Sequence, residues 1–127
     1  MADGEITTEI QRFIARYIES VEKLEILLTL HREPDKAWSV QEVYQKIQSS
    51  LPSIAKELRD LSGEGFLQKV DDCFRYRPKS DELNQRVFAL DAAYQKRHVK
   101  IIGLIFSKST DDLRKFADAF RIRKGNE

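Results

Sequence analysis

The sequence predicts a mainly α-helical fold with one small β-hairpin. Apolar residues recur at helical spacing on both sides of the centre, as at Ile10, Phe13, Ile14, Tyr17 and Ile18. Two short segments with strand-like alternation, residues 66–70 and 73–77, lie between the helical parts. The chain has 127 residues, of which 41% are apolar and 34% charged, and this suits one globular domain with a modest core.

The first two helices are predicted from their periodicity and their start signals. The first covers about Thr8 to Glu19. Ser20 is a suitable N-cap for a second helix, which begins at Val21 and ends with basic residues just before Pro34. Apolar residues occupy more than one side of this second helix, a pattern that is typical of a central helix.

A short extended piece, Ala37–Ser39, precedes the third helix. Ser39 is followed three residues later by Glu42, which is a capping-box pattern. Residues 48–50 form a polar turn, and Pro52 suits the first turn of a fourth helix.

The fourth helix is predicted to end near Leu61, because residues 62–65 contain two glycines that can adopt positive φ. The two short strands follow and are joined at Asp71-Asp72. Alternation along the second strand places Arg75 and Arg77 on the side opposite to its aromatic residues.

A long helix is predicted from Asp81 toward Phe106, with Ser80 as its N-cap. A last helix is predicted to begin at Ser109 or Thr110. The long helix carries an apolar ladder with 4-3 spacing that is broken at Arg97. Such a ladder fits a dimer seam, packing against the first helix within one chain, or both at once. The dimer interpretation assigns to the seam Leu83, Val87, Leu90, Tyr94, Ile101, Leu104 and Ile105.

Composition and motifs argue against an enzyme, a cofactor and a metal site. Cys73 is the only cysteine, so the chain cannot form an internal disulfide or a cysteine-based zinc site. His31 and His98 are not spaced as metal ligands. Gly-rich phosphate loops and nucleophile motifs are absent from the sequence. The 22 basic and 21 acidic side chains give a net charge of +1, lower than a non-specific nucleic-acid binder usually carries.

The sequence is expected to belong to a cytoplasmic protein without a membrane partner. Residues 1–20 lack a basic region followed by an apolar one, so no secretory signal is predicted. The longest apolar cluster, residues 101–106, is far too short to span a bilayer.

The order of elements from Ser39 to Pro78, two helices followed by a hairpin, is the outline of a winged helix-turn-helix. Residues Val21 to Pro78 resemble the winged-helix domains of small bacterial transcription regulators, the broad group that includes MarR-like and PadR-like proteins. The segment LRDLSGEGFLQKV…FRYRP carries this resemblance. The tail IIGLIFSKSTDDLRKFADAFRIRK is similar to that of uncharacterised bacterial winged-helix proteins.

The resemblance implies a single domain over residues 1–127. It would consist of an N-terminal helix (1–20), a winged-helix core (21–79) and C-terminal helices that mediate dimerisation (80–127). It also implies a homodimeric, sequence-specific transcription regulator that binds double-stranded DNA. The second helix of the motif would enter the major groove, and the hairpin would contact the backbone or the minor groove.

The apolar positions of the fourth helix are expected to leave Ser53, Lys56, Glu57 and Asp60 pointing outward. The predicted DNA contacts are the polar and basic residues of the fourth helix and the hairpin: Ser50, Ser53, Lys56, Arg59, Lys69, Arg75, Arg77 and Lys79. An alternative interpretation is a winged helix that binds another protein and not DNA. The near-neutral charge and the nearby acids Glu57, Asp60, Asp71 and Asp72 favour that alternative. The sequence identifies no small-molecule effector.

Overall fold

The computed structural model describes the backbone of residues 5–124 and the side-chain surroundings of residues 5–107. The elements of this part follow in the order α1 (Thr8–Tyr17), α2 (Val21–Arg32), β1 (Ala37–Ser39), α3 (Val40–Lys46), α4 (Leu51–Gly63), β2 (Leu67–Val70), β3 (Cys73–Tyr76) and α5 (Asp81–Lys124). The protein is mainly helical with a small antiparallel sheet, so the coarse fold class predicted from the sequence is confirmed.

The helix starts lie where the sequence predicts them. The hydroxyls of Ser20, Ser39 and Ser50 each accept a hydrogen bond from the backbone amide three residues later, at 3.1–3.2 Å. The carboxylate of Glu42 accepts a hydrogen bond from the backbone amide of Ser39 at 2.9 Å, which completes the capping box. These caps satisfy amide groups that the first helical turn leaves without partners.

The sheet has three antiparallel strands in the order β1-β3-β2. Trp38 lies opposite Phe74, and Leu67 lies opposite Tyr76. All four side chains are buried, whereas Arg75 points to the other side of β3 and is only partly buried. The short extended piece predicted before α3 is therefore an edge strand that closes the sheet on one side.

α2 is the central helix, as predicted. Leu24, Ile26, Leu27, Leu28 and Leu30 are each at most 1% exposed, although they point to different sides of the helix. α4, α5 and β3 each pack against part of this apolar surface.

An aromatic cluster joins α1 to the junction between α4 and β2. The ring centroid of Phe66 lies 5.7 Å from that of Phe13 and 5.1 Å from that of Tyr17, both in edge-on geometry. Phe66 is fully buried. The cluster thus fixes the N-terminal helix against the end of α4.

The prediction for the end of α5 is wrong. The helix does not stop near Ser109; its backbone leaves helical geometry at Arg97, with φ −136° and ψ 48°. Arg97 is also the position that interrupts the apolar ladder. The break changes the direction of the following residues, and Ile101 and Ile105 are then buried at 0% and 2% exposure. The side chains of the predicted last helix lie outside those that the structure describes.

The ladder of α5 belongs to the core of its own chain. Val87, Leu90, Ile101 and Ile105 are at most 2% exposed, and the partly buried members pack against the same core: Leu83, Tyr94 and Leu104. These residues therefore pack within one chain, which is one of the interpretations that the sequence left open. None of the helices within the described part has enough apolar length to cross a membrane.

An ion pair between an exposed arginine and a buried aspartate joins the end of α2 to α5. Arg32 donates to the carboxylate of Asp91 at 2.6 and 3.3 Å, and Gln95 donates to the same carboxylate at 3.2 Å. Burial favours a higher pKa for Asp91, but the hydrogen bonds from Arg32 and Gln95 outweigh it and leave the pKa below its usual value. The carboxylate is therefore held in its ionised form.

His31 lies beside this ion pair and is 7% exposed. Its ring packs edge-on against Tyr76 and Phe88, with centroid distances of 5.0 and 4.6 Å. Burial lowers the pKa of His31, and this effect outweighs the opposite influence of Asp91, whose Oδ2 lies 3.6 Å from Nε2. His31 is consequently neutral in the folded protein at pH 7.

The free energy of unfolding is expected to decrease as the pH falls below 6.5, the ordinary pKa of histidine. The reason is that the unfolded chain takes up a proton on His31 more readily than the folded chain does. His31→Phe should remove this part of the pH dependence, measured by chemical denaturation between about pH 5 and 8. His98→Gln, at an exposed position, is the control and should keep the wild-type dependence. The same dependence in His31→Phe as in wild type would contradict the prediction.

Candidate nucleic-acid interface

α4 exposes one polar face beside the β2–β3 hairpin. Ile54, Leu58 and Leu61 are fully buried on its inner side. Lys56 and Arg59 are exposed on its outer side. The hairpin follows α4 after only three residues, so both elements are held close together in the same part of the molecule.

The two serines predicted as contacts on α4 differ in their surroundings. Ser50 is exposed and caps the helix by accepting a hydrogen bond from the Ser53 amide at 3.2 Å. The Ser53 hydroxyl donates to Oε1 of Glu22 at 2.7 Å and is directed toward α2. Ser53 therefore has a structural partner and does not point outward as predicted. The sequence of α4 alone contains no sign of that partner.

Lys56 and Asp60 form an exposed ion pair with an Nζ–Oδ2 distance of 2.8 Å. The hydrogen bond between them raises the pKa of Lys56 and lowers that of Asp60. Such a pair adds little to stability, but it cancels most of the local positive charge of Lys56. Arg59, one turn along, forms no ion pair with any residue that the structure describes.

The hairpin carries cations along its length and acids at its tip. Lys69 and Arg77 are exposed, and neither forms an ion pair within the described part of the chain. Arg75 is partly buried and donates to Oε1 of Gln68 at 3.4 Å. The tip is Asp71-Asp72, where Asp71 has a φ of 57°, a left-handed conformation that aspartate tolerates. A polyanion would therefore meet the flank of the hairpin more favourably than its tip.

Lys79 is exposed at the base of the hairpin, where its stem lies against Gly65. Gly65 has a φ of 95°, and a Cβ atom there would lie 2.5 Å from Cδ of Lys79. The Lys79 amide donates to the Gly65 carbonyl at 2.8 Å. Lys79 also lines a pocket together with Arg12 and Arg16 of α1. The sequence assigns Lys79 to the hairpin, whereas in the structure it lies next to the N-terminal helix.

A group of charges is buried between α2 and the inner side of α4. Lys23 is 1% exposed and pairs with Glu64 at 3.1 Å. Glu57, expected to point outward, is 8% exposed, so that expectation is wrong. Its Oε1 has no hydrogen-bond partner among the described residues. Burial, followed by the like charges of Glu22 and Asp60, raises the pKa of Glu57 above its usual value, although Lys56 and Lys23 act in the opposite direction.

Glu57→Gln is expected to stabilise the protein by about 1 kcal/mol at pH 7. Because the folded state raises the pKa of Glu57, the wild type loses stability as the pH rises above the ordinary value of 4.5. The difference in stability between Glu57→Gln and wild type should vanish below about pH 4, as measured by urea denaturation at several pH values. Glu42→Gln is the matched control: hydrogen bonding to Ser39 lowers the pKa of Glu42, so its removal should not stabilise. Destabilisation by Glu57→Gln at pH 7 would refute the prediction.

The part of the chain that the structure describes contains no group of three or more His, Cys, Asp or Glu side chains arranged to hold a metal ion. Comparison of the chain with protein-family models, with curated proteins and with solved structures gave no match.

Proposed function

We propose that this chain is a winged helix-turn-helix protein that binds double-stranded DNA and regulates transcription. α4 enters the major groove, and the β2–β3 hairpin, the wing, follows the backbone or the minor groove. One observation carries the proposal. The exposed polar face of α4 lies beside a hairpin whose outer cations, Lys69 and Arg77, have no ion-pair partner in the described residues.

The arrangement of the elements supports this proposal. A helix, a strand, two helices and two strands follow one another from α2 to β3, and β1 pairs with β3 to hold the hairpin against the helices. The turn between α3 and α4 has only four residues, as is usual between the two helices of such a motif. The fixed start of α4 at Ser50 gives its outer side chains a defined direction.

Three groups on α4 have suitable chemistry for DNA. The helix start, with the Ser50 hydroxyl, suits a backbone phosphate. Arg59 is unpaired within the described part and has the planar donor pattern that matches the edge of guanine. Lys56 contributes less, because DNA has to compete with Asp60 for its ammonium group.

The proposal includes a homodimer, because paired reading helices recognise two half-sites one helical turn apart. Val87, Leu90, Ile101 and Ile105 are covered by their own chain, so we place the contact on the exposed side of α5. Val99 and Phe106 on α5 are 71% and 60% exposed. They are seven residues apart and therefore lie on the same side of the helix, where a second copy would cover them.

A protein-interaction module is the second candidate function. The Lys56–Asp60 pair and the acidic tip at Asp71-Asp72 weaken the attraction of this surface to phosphates. The same features suit a partner protein that carries both signs of charge.

Replacing both Arg59 and Arg77 by Gln is expected to weaken binding to a duplex selected from a random pool. The slope of log K against log salt should become smaller by about 2, because two phosphate or base contacts of cations are lost. Fluorescence anisotropy at several salt concentrations measures both quantities. The control variant Lys96→Gln/Lys100→Gln removes the same charge from an exposed part of α5 and should bind as wild type does.

Two outcomes would argue against this function. An equal loss of duplex affinity in the Arg59/Arg77 variant and in the control variant would mean that affinity depends only on the net charge of the protein. Failure to select any duplex that binds with salt-dependent affinity would favour the protein-interaction module instead.

Replacing both Val99 and Phe106 by Glu is expected to shift the protein from dimer to folded monomer, because charges on both sides of a covered apolar face oppose association. Sedimentation velocity together with circular dichroism measures mass and folding. Leu90→Glu is the contrasting variant: Leu90 is fully buried, so this substitution should unfold the chain. A wild-type protein that is monomeric at tens of micromolar would rule out the dimer.

A further inference from the structure

A basic pocket of about 360 Å³ lies between α1 and the start of α5. Four of its lining residues are cations and only one, Glu82, is an acid. The cations are Arg12, Arg16, Lys79 and Arg86. Phe13, Tyr17 and Leu83 supply its apolar surface. We call this site the α1–α5 basic pocket.

The positive charge of the pocket is largely uncompensated. Arg86 pairs with Glu82 at 2.9 Å. Arg12, Arg16 and Lys79 form no ion pair with any residue in the described part of the chain. The whole sequence has a net charge of only +1, so an excess of three cations around one cavity is a strong local concentration. Cations that repel one another across a cleft attract small anions to it.

Two of these cations are already held in place. The guanidinium group of Arg16 lies 5.3 Å from the ring centroid of Tyr17. The stem of Lys79 lies on Gly65, where a side chain would overlap with it, and its backbone is hydrogen-bonded to the same residue. A ligand therefore meets side chains that have little conformational freedom left to lose.

The start of α5 adds to the positive potential. Ser80, which caps the helix by accepting a hydrogen bond from the Leu83 amide at 3.2 Å, lines the same pocket. The N-terminal end of a helix carries partial positive charge, and this favours an anion in addition to the side chains.

We propose that the α1–α5 basic pocket binds a phosphate group. The guanidinium groups of Arg12 and Arg16 donate to phosphate oxygens, and the ammonium group of Lys79 neutralises the remaining charge. The cavity has room for more than the phosphate, and Phe13 and Tyr17 lie beside it to contact an attached apolar or ring portion. The phosphate belongs either to a small phosphorylated molecule or to the backbone of bound DNA. The site does not depend on the proposed contact of α4 with DNA.

The test is a titration of the full chain with inorganic pyrophosphate in about 0.1 M salt, followed by two-dimensional amide NMR. We expect saturable shifts for the amides of residues 79–83 and for those around Arg12 and Arg16. The variant Arg12→Gln/Arg16→Gln should lose at least about tenfold in affinity, because two charge-assisted contacts are removed. Both arginines are exposed, so the variant should fold normally, and its thermal midpoint verifies this.

The control variant is again Lys96→Gln/Lys100→Gln, which lowers the net charge by the same amount elsewhere on the surface. It should bind pyrophosphate within about twofold of wild type, since the Debye length at 0.1 M salt is about 10 Å. Absence of saturable shifts up to about 10 mM pyrophosphate, a limit well above the affinity of a specific site, would overturn the proposal. An equal loss in the control variant would overturn it as well.

Binding to a duplex distinguishes the two sources of phosphate. If the pocket holds a DNA phosphate, Arg12→Gln/Arg16→Gln reduces the slope of log K against log salt by about 2. If it holds a small molecule, the duplex titration is unchanged and a nucleoside diphosphate binds with an affinity similar to that of pyrophosphate. Either result supports a phosphate site. If the protein binds no duplex at all, the proposed function is refuted, whereas the pyrophosphate titration still tests the phosphate site.

Discussion

α2 is buried on nearly all of its sides, and α4, α5 and β3 all pack against it. Leu24, Ile26, Leu27 and Leu30 are fully buried although they point in different directions. Burying one such side chain stabilises a fold by about 1.5–3 kcal/mol. The helix therefore needs neighbours on several sides at once, and α4, β3 and α5 provide them. The position of α4 beside the hairpin is a consequence of this shared support.

Polar contacts at the two ends of α2 fix the orientation of the elements that pack against it. Near its start, Glu22 accepts a hydrogen bond from Ser53, and Lys23 pairs with Glu64. At its end, Arg32 binds Asp91 on α5. Apolar burial alone allows two helices to slide or rotate, whereas a hydrogen bond between named atoms does not. These pairs hold α4 and α5 in one orientation, at the cost of taking charged groups out of water.

The sequence predicts best those features that depend on neighbours in the chain. A helix cap such as Ser39 depends on a residue three positions later, and strand alternation depends on a period of two residues. The sequence therefore predicts both. The surroundings of Ser53 and Glu57 depend on α2, about thirty residues away, and no local pattern reports them. The ladder of α5 shows another limit, because burial by the same chain and burial by a second copy require the same apolar spacing.

The near-neutral net charge of the chain is a sum over cations that have different roles in the structure. Lys23, Arg32 and Lys56 are each bound to a carboxylate and attract little beyond it. Arg59 and Arg77 have no such partner among the described residues. Since salt screens charges beyond about 10 Å, a phosphate responds to the cations near it and not to acids on distant surfaces. A net charge of +1 for the whole chain therefore does not describe the charge that a phosphate meets near one surface. The local excess along the hairpin and around the α1–α5 basic pocket is the quantity that matters.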